Sequence, residues 1–182
     1  MIIGILKDIK EGENRVIATP GEVATLIGDG NVVKVQKGAG ARAGFEDEAY
    51  AAAGATLVDT AEEIYGTCEF VAKVKEFEPS EYGMLREGLI VFTCIHPAAH
   101  PEEVQVLLDK KVTAFTAEDS HRYGSPNCEA AGKQGALFGL ESMLTINGGK
   151  GKFVSGLGGA PGMKVLILGG GVGALVYILG PL

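Results

Sequence analysis

Short apolar runs alternate with stretches of helical periodicity along most of the chain. The runs cover residues 2–6, 32–35, 56–58, 70–74, 89–95 and 112–116. Apolar runs of this length predict buried strands, and strands that alternate with helices predict a parallel sheet. A further run at 165–168 predicts the first strand of a second sheet. We therefore expect an α/β fold, in which a Rossmann-like parallel-sheet substrate domain precedes the start of a second, nucleotide-binding Rossmann domain.

Capping signals fix where two of the helices begin or end. Thr19 as the N-cap, Pro20 in the first turn and Glu22 three residues after the cap predict a helix start. A longer helical pattern covers residues 128–147 and ends at the pair Gly148-Gly149, which is typical of a C-cap. We therefore predict a substrate domain over residues 1–149, with the long helix as a connector, and a truncated NAD-binding domain over residues 150–182.

The last apolar run breaks into a glycine cluster. Gly169, Gly171 and Ala174 have the G-x-G-x-x-G/A spacing of a dinucleotide-binding turn. Such a turn brings backbone N–H groups and a helix N-terminus to a pyrophosphate. The spacing predicts NAD as cofactor; the alternative is a glycine-rich turn that only packs tightly.

Polar residues that follow the strands are candidates for chemistry, because ligands of such sheets bind beyond the carboxyl ends of the strands. Lys75, His96 and Glu118 each follow a predicted strand, and Arg15 lies in the loop after the first. Arg15 is either a bidentate carboxylate ligand or a solvated loop residue. Glu118 either orients a base or lines the pocket, and Asp119 is equally well placed.

Lys75 and His96 offer proton chemistry. A partly desolvated lysine can donate to a carbonyl oxygen or a carboxylate, although Lys75 could instead form a surface pair with Glu76. Strand alternation would direct Lys73 to the same face as Lys75. Imidazole suits acid–base work near neutral pH, and the alternative for His96 is a hydrogen-bonded structural role.

Composition narrows the range of partners. The net charge of −7 disfavours nucleic acid and anionic membrane surfaces. The three cysteines form no CxxC pair, so neither a disulfide framework nor a metal site is expected. No apolar segment approaches the ~20 residues of a membrane span, and the N-terminus reads as a strand, so we expect a cytoplasmic protein without membrane insertion.

Several motifs together resemble the alanine dehydrogenase family, which includes domain I of proton-translocating transhydrogenase. They are Gly12-Glu13-Asn14-Arg15-Val16, Val74-Lys75-Glu76, Phe92-Thr93-Cys94-Ile95-His96, Asn147-Gly148-Gly149 and the Gly169 fingerprint.

The resemblance implies NAD-dependent oxidative deamination of L-alanine to pyruvate and ammonium by a homo-oligomer. It implies that Arg15 and Lys75 hold the substrate and that His96 serves in acid–base catalysis. Cys128 stands where the family usually has a serine that contacts the cofactor. The alternatives are an NAD(H)-binding subunit like transhydrogenase domain I, a dehydrogenase for another small amino acid, and a non-catalytic remnant. The absence of the transhydrogenase signature, an Arg-Gln-Asp-type run, favours the dehydrogenase.

The second domain is expected to be incomplete. A dinucleotide domain needs about six strands, and its ribose-binding acid lies ~20 residues after the fingerprint. Leu182 lies only 13 positions after Gly169. We therefore expect the chain to be part of a longer enzyme, with little activity alone.

Overall fold

One parallel sheet organises the fold. The structure, a computed structural model, describes residues 1–118, 120 and 125–168. Within these residues the strands are β1 Ile2–Ile5, β2 Val32–Gln36, β3 Thr56–Val58, β4 Phe70–Ala72, β5 Ile90–Thr93 and β6 Thr113–Thr116. Their order in the sheet is β3-β2-β1-β4-β5-β6, and every pairing is parallel. This is the strand order of a Rossmann-type sheet, which confirms the expected fold class.

Helices connect the strands. They are α1 Pro20–Gly28, α2 Asp47–Ala52, α3 Ala61–Thr67, α4 Pro101–Asp109 and α5 Pro126–Ser142, with 3₁₀ turns at Ala41–Ala43, Tyr82–Met84 and Thr145–Asn147. The predicted start of α1 is confirmed, because Pro20 opens the helix and the backbone N–H of Thr19 donates to Glu22 Oε2 at 2.7 Å. None of the helices in the described ranges is both long and apolar enough to cross a lipid bilayer.

Apolar side chains cover both faces of the sheet. On one face, Val71 and Val91 pack with Ile64 of α3 and Leu107 of α4. The opposite face carries Ile3, Ile5, Val33 and Val35, which pack with Val23 of α1 and Tyr50 of α2.

Gly4 permits the close approach of α3 to β1, since a Cβ there would lie 2.3 Å from Ile64 Cγ2.

A buried ion pair lies beside this core. Lys73, expected on the same face as Lys75, is fully buried and donates from Nζ to Glu81 Oε2 at 2.6 Å. Tyr65 also donates its hydroxyl hydrogen to Glu81 Oε1, at 2.9 Å. Lys75 has other partners. Lys73 therefore has a structural role beside the core, whereas Lys75 lies at the ends of the strands.

The chain divides into two compact units, Met1–Glu118 and Asp119–Leu182. The functional boundary that we place near residue 149 stays a prediction. In the second unit, α5 begins two residues earlier than predicted and ends at Ser142, and a 3₁₀ turn follows.

The prediction of a strand at residues 165–168 is wrong, because the structure has no regular element there. A strand needs a hydrogen-bonded neighbour, and no strand of the described part of this unit pairs with it. Leu166 and Leu168 are accordingly exposed.

The substitution Lys73→Met should destabilise the chain by about 3–5 kcal/mol, because it leaves the Glu81 carboxylate buried without its cation. Urea unfolding followed by circular dichroism would measure this loss. The double variant Lys73→Met, Glu81→Gln should recover part of it, since the buried charge is then gone.

Lys37→Met is the matched control, because the Lys37–Asp59 pair is exposed to solvent. Its unfolding midpoint should equal that of the parent chain. An unchanged midpoint in Lys73→Met would contradict the structural role of the buried pair.

Candidate functional site

The carboxyl ends of the parallel strands meet at one edge of the sheet. β1 and β4 are neighbours at the point where the strand order reverses, and α1 and α4 pack on opposite faces. Such a reversal opens a crevice between the connecting loops. The loops after β1, β4, β5 and β6 carry Arg15, Lys75, His96 and Glu118 respectively.

Glu118 holds both the backbone and the ring of His96. Its Oε1 accepts a hydrogen bond from the His96 backbone N–H at 2.6 Å and lies 2.7 Å from His96 Nδ1. The backbone N–H of Ile95 donates to Oε2 at 3.3 Å, and Thr116 Oγ1 donates to the same oxygen. His96 has a φ of 48°, in the left-handed region, so the turn after β5 depends on such support.

Lys75 lies on the other side of the imidazole. Its Nζ is 3.2 Å from His96 Nε2 and 3.4 Å from Glu76 Oε2, the latter an ion pair without hydrogen-bond geometry. The Lys75 backbone N–H donates to Asp8 Oδ2 at 2.8 Å, and Thr93 Oγ1 donates to the Lys75 carbonyl at 2.6 Å. We call Lys75, His96 and Glu118 the strand-end cluster.

Arg15 is engaged by a carboxylate of the chain itself. Its Nε donates to Glu13 Oε1 at 2.8 Å and its Nη2 to Glu13 Oε2 at 2.6 Å. These hydrogen bonds raise the pKa of Arg15, against the opposing effect of burial, and lower the pKa of Glu13. Arg15 therefore binds a carboxylate in the expected bidentate mode, and in this structure that carboxylate belongs to Glu13.

The protonation states of the acidic groups follow from their surroundings. Burial alone would raise the pKa of Glu118, but hydrogen bonds from Thr116 and from backbone N–H groups leave that pKa below its ordinary value. Burial raises the pKa of the Cys94 thiol, and the nearby Glu118 carboxylate adds to this effect. At neutral pH the strand-end cluster therefore contains a Glu118 carboxylate, and the neighbouring Cys94 is a thiol.

Cys94 belongs to a potential ligand set that sequence reasoning missed. One ligand atom each of Cys94, His96 and Glu118 lies within 4.8 Å of the others. The predicted strand over residues 89–95 places Cys94 among core residues, whereas β5 ends at Thr93. Asp8 was also missed, although the rule of polar residues after strand ends would have found it.

The predicted cofactor residues belong to other parts of the chain than the strand-end cluster. Gly169, Gly171 and Ala174 lie outside the described residues. Cys128 is in the second unit, in the first turn of α5, where its backbone N–H donates to Ser125 Oγ at 3.4 Å. The structure therefore brings together Lys75, His96 and Glu118, with Arg15 in the neighbouring loop.

An apolar cavity of about 540 Å³ lies elsewhere, on the α1 face of the sheet. Ile3, Ile5, Phe70 and Phe92 are among its lining residues, and no member of the strand-end cluster is. It offers few polar groups, so we place the chemistry at the strand ends.

Known proteins match this chain closely. The family model described as "Alanine dehydrogenase/PNT, N-terminal domain" matches residues 4–127. Alanine dehydrogenase of Bacillus subtilis (strain 168) is 44% identical over 172 residues, which are 92% of this chain and 45% of that protein. Alanine dehydrogenase of Methanococcus maripaludis is 39% identical over 170 residues, covering 90% of this chain and 45% of that protein.

Solved structures also match the fold of this chain. A structure of L-alanine dehydrogenase superposes with a TM-score of 0.85 at 36% identity, covering 97% of this chain and 50% of that one. Transhydrogenase from Sinorhizobium meliloti superposes with a TM-score of 0.68 at 24% identity over 79% of this chain and 45% of that one, which shows the shared fold alone. The chain spans about half the length of the relatives that it matches. With residues 4–127 matched, the chain belongs to the alanine dehydrogenase/PNT family through its N-terminal domain.

Proposed function

We propose that this chain is the substrate-binding half of an NAD-dependent alanine dehydrogenase, which converts L-alanine, NAD⁺ and water to pyruvate, ammonium, NADH and a proton. The observation that carries the proposal is the Lys75–His96–Glu118 arrangement at the strand ends. Identity of 39–44% to proteins named alanine dehydrogenase supports the choice of substrate.

Glu118 selects the tautomer of His96. An ionised carboxylate can only accept hydrogen bonds, so the ring nitrogen beside it, Nδ1, must carry a hydrogen. In the neutral ring, Nε2 is then the basic nitrogen, and it faces the reaction side with Lys75. His96 Nε2 takes a proton from the water that attacks the oxidised substrate carbon.

Lys75 supplies a positive donor next to that base. Glu76, whose side chain is buried, forms an ion pair with the Lys75 ammonium group, with Glu76 Oε2 3.4 Å from Lys75 Nζ. The ammonium group has three hydrogens, and the one that faces His96 Nε2 must turn away when substrate binds, so that the lone pair of Nε2 is free for the proton of the water. The others can hold the substrate carboxylate and polarise the developing oxo group.

Arg15 binds the substrate carboxylate by exchange. The substrate takes the place of the Glu13 carboxylate in the guanidinium fork, so binding costs one ion pair and forms another. Half of the Arg15 side chain is exposed, which leaves it accessible from the crevice.

NAD would supply the hydride acceptor for oxidation of the alanine Cα. The residues expected to hold it, Gly169, Gly171, Ala174 and Cys128, support this cofactor by their spacing in the sequence and by the resemblance. We propose the cytoplasm as the compartment, because thiols that form no disulfide suit a reducing environment. The homo-oligomer is proposed from the resemblance.

A chimaera tests the function. Residues 1–182 would replace the matching part of the Bacillus subtilis alanine dehydrogenase, so that the cofactor half comes from a known enzyme. The chimaera should form NADH from L-alanine, because the amino-acid chemistry resides in the strand-end cluster. Absorbance of NADH measures the rate.

Two outcomes would contradict the proposal. A folded chimaera that binds NADH but turns over no amino acid would favour a role like that of transhydrogenase domain I. Turnover of a different small amino acid, with L-alanine inert, would change the substrate. Circular dichroism and NADH fluorescence establish folding and cofactor binding beforehand.

The roles of the cluster predict graded losses in that chimaera. His96→Gln should lower kcat by about 100-fold or more, because the general base is gone. Glu118→Gln should lower kcat by about 10- to 100-fold, because the base remains but its tautomer is no longer enforced.

Glu87→Gln is the matched control, since Glu87 is an exposed partner of Lys111. It should leave kcat unchanged. Parental kcat in Glu118→Gln would refute the assignment of Glu118 as the residue that orients the base.

A further inference from the structure

We propose that Cys94, His96 and Glu118 form a binding site for a divalent zinc-type cation. Thiolate, imidazole and carboxylate are the side chains that bind Zn²⁺ in proteins. The three ligand atoms lie within 4.8 Å of one another, on two adjacent loops at the ends of β5 and β6.

Small movements bring these atoms to coordination distance. Zn–S distances are about 2.3 Å, and Zn–N and Zn–O distances about 2.0 Å, which separates two ligand atoms on a tetrahedral ion by roughly 3–4 Å. His96 Nδ1 and Glu118 Oε1, now 2.7 Å apart across a hydrogen bond, must part slightly as the ion replaces the shared hydrogen. The site accordingly uses the side of the imidazole that faces away from Lys75.

Charge balance favours a divalent ion. Glu118 contributes one negative charge, and Cys94 contributes a second when the ion displaces the thiol proton to water. Two anionic ligands and a neutral imidazole neutralise a dication, so the occupied site carries no net positive charge beside Lys75. A monovalent cation would leave the site negatively charged and make poor use of sulfur.

The ion has a path to the site and one open position. The Cys94 side chain is buried, but 40% of the His96 side chain and 22% of the Glu118 side chain are exposed. The ion therefore approaches from the crevice. Three protein ligands leave a fourth position for water or for a small anion.

Metal binding and base catalysis exclude each other at His96. This exclusion rests on the proposed function, because the ion would take the Glu118–His96 contact that sets the tautomer. Zinc-type cations are then inhibitors of the enzyme, acting at its base.

Cobalt(II) is the probe, because a thiolate ligand gives Co²⁺ an intense near-ultraviolet charge-transfer band. The 182-residue chain carrying Cys128→Ser, which removes the exposed thiol, is titrated with Co²⁺ and then with competing Zn²⁺. We expect one ion per chain, with the charge-transfer band lost when Zn²⁺ is added. Cys94→Ser should abolish the band, and Glu118→Gln should weaken Co²⁺ binding at least tenfold.

His100→Gln serves as control, because His100 lies beside Glu76, outside the ligand set. It should bind Co²⁺ like the parent. The proposal fails if the folded parent shows no thiolate band, if the band persists in Cys94→Ser, or if Glu118→Gln and His96→Gln both leave the affinity unchanged. Should Cys94→Ser not fold, the Glu118→Gln and His96→Gln titrations decide alone. None of these outcomes depends on turnover of alanine.

Discussion

The parallel direction of all strands is the constraint on which this unit depends. Because every strand of the sheet runs the same way, the loops after β1, β4, β5 and β6 emerge along a single edge. The reversal of strand order between β1 and β4 separates these loops into two sets with a crevice between them. Residues as distant in sequence as Asp8 and Lys75 thereby come within hydrogen-bond distance. The same geometry requires both faces of the sheet to be covered by helices, which accounts for the two apolar clusters.

At that edge of the sheet, the Glu118 carboxylate makes the contacts that hold the turn after β5 and the His96 ring in place. It accepts hydrogen bonds from two backbone N–H groups of the turn after β5 and contacts the His96 ring. Hydrogen bonds to charged groups are about twice as strong as neutral ones. They offset the left-handed backbone of His96, which costs on the order of 1–3 kcal/mol. Position, tautomer and metal affinity of the imidazole thus depend on one side chain.

Sequence patterns predicted the strands and the strand-end cluster because both follow from simple rules, apolar runs and the common edge of a parallel sheet. Sequence patterns failed where tertiary contacts determine the environment of a residue or the formation of a strand. Alternation could not distinguish Lys73, buried on Glu81, from Lys75, since the partner lies in a turn outside the strand, eight residues after Lys73. Cys94 looked like core because an apolar run does not show where β5 stops. The run at residues 165–168 resembles a strand, yet a strand needs neighbours that local sequence does not supply.

The tautomer of His96 tests this account most directly. Two-bond ¹H–¹⁵N correlation NMR on the ¹⁵N-histidine-labelled chain, at about pH 8 where imidazole is ordinarily neutral, distinguishes Nδ1–H from Nε2–H. A His96→Gln sample assigns the signal. The account predicts a ring protonated at Nδ1, with Nε2 free of hydrogen, and a loss of that preference in Glu118→Gln. A His96 ring protonated at Nε2 in the parent chain would contradict it.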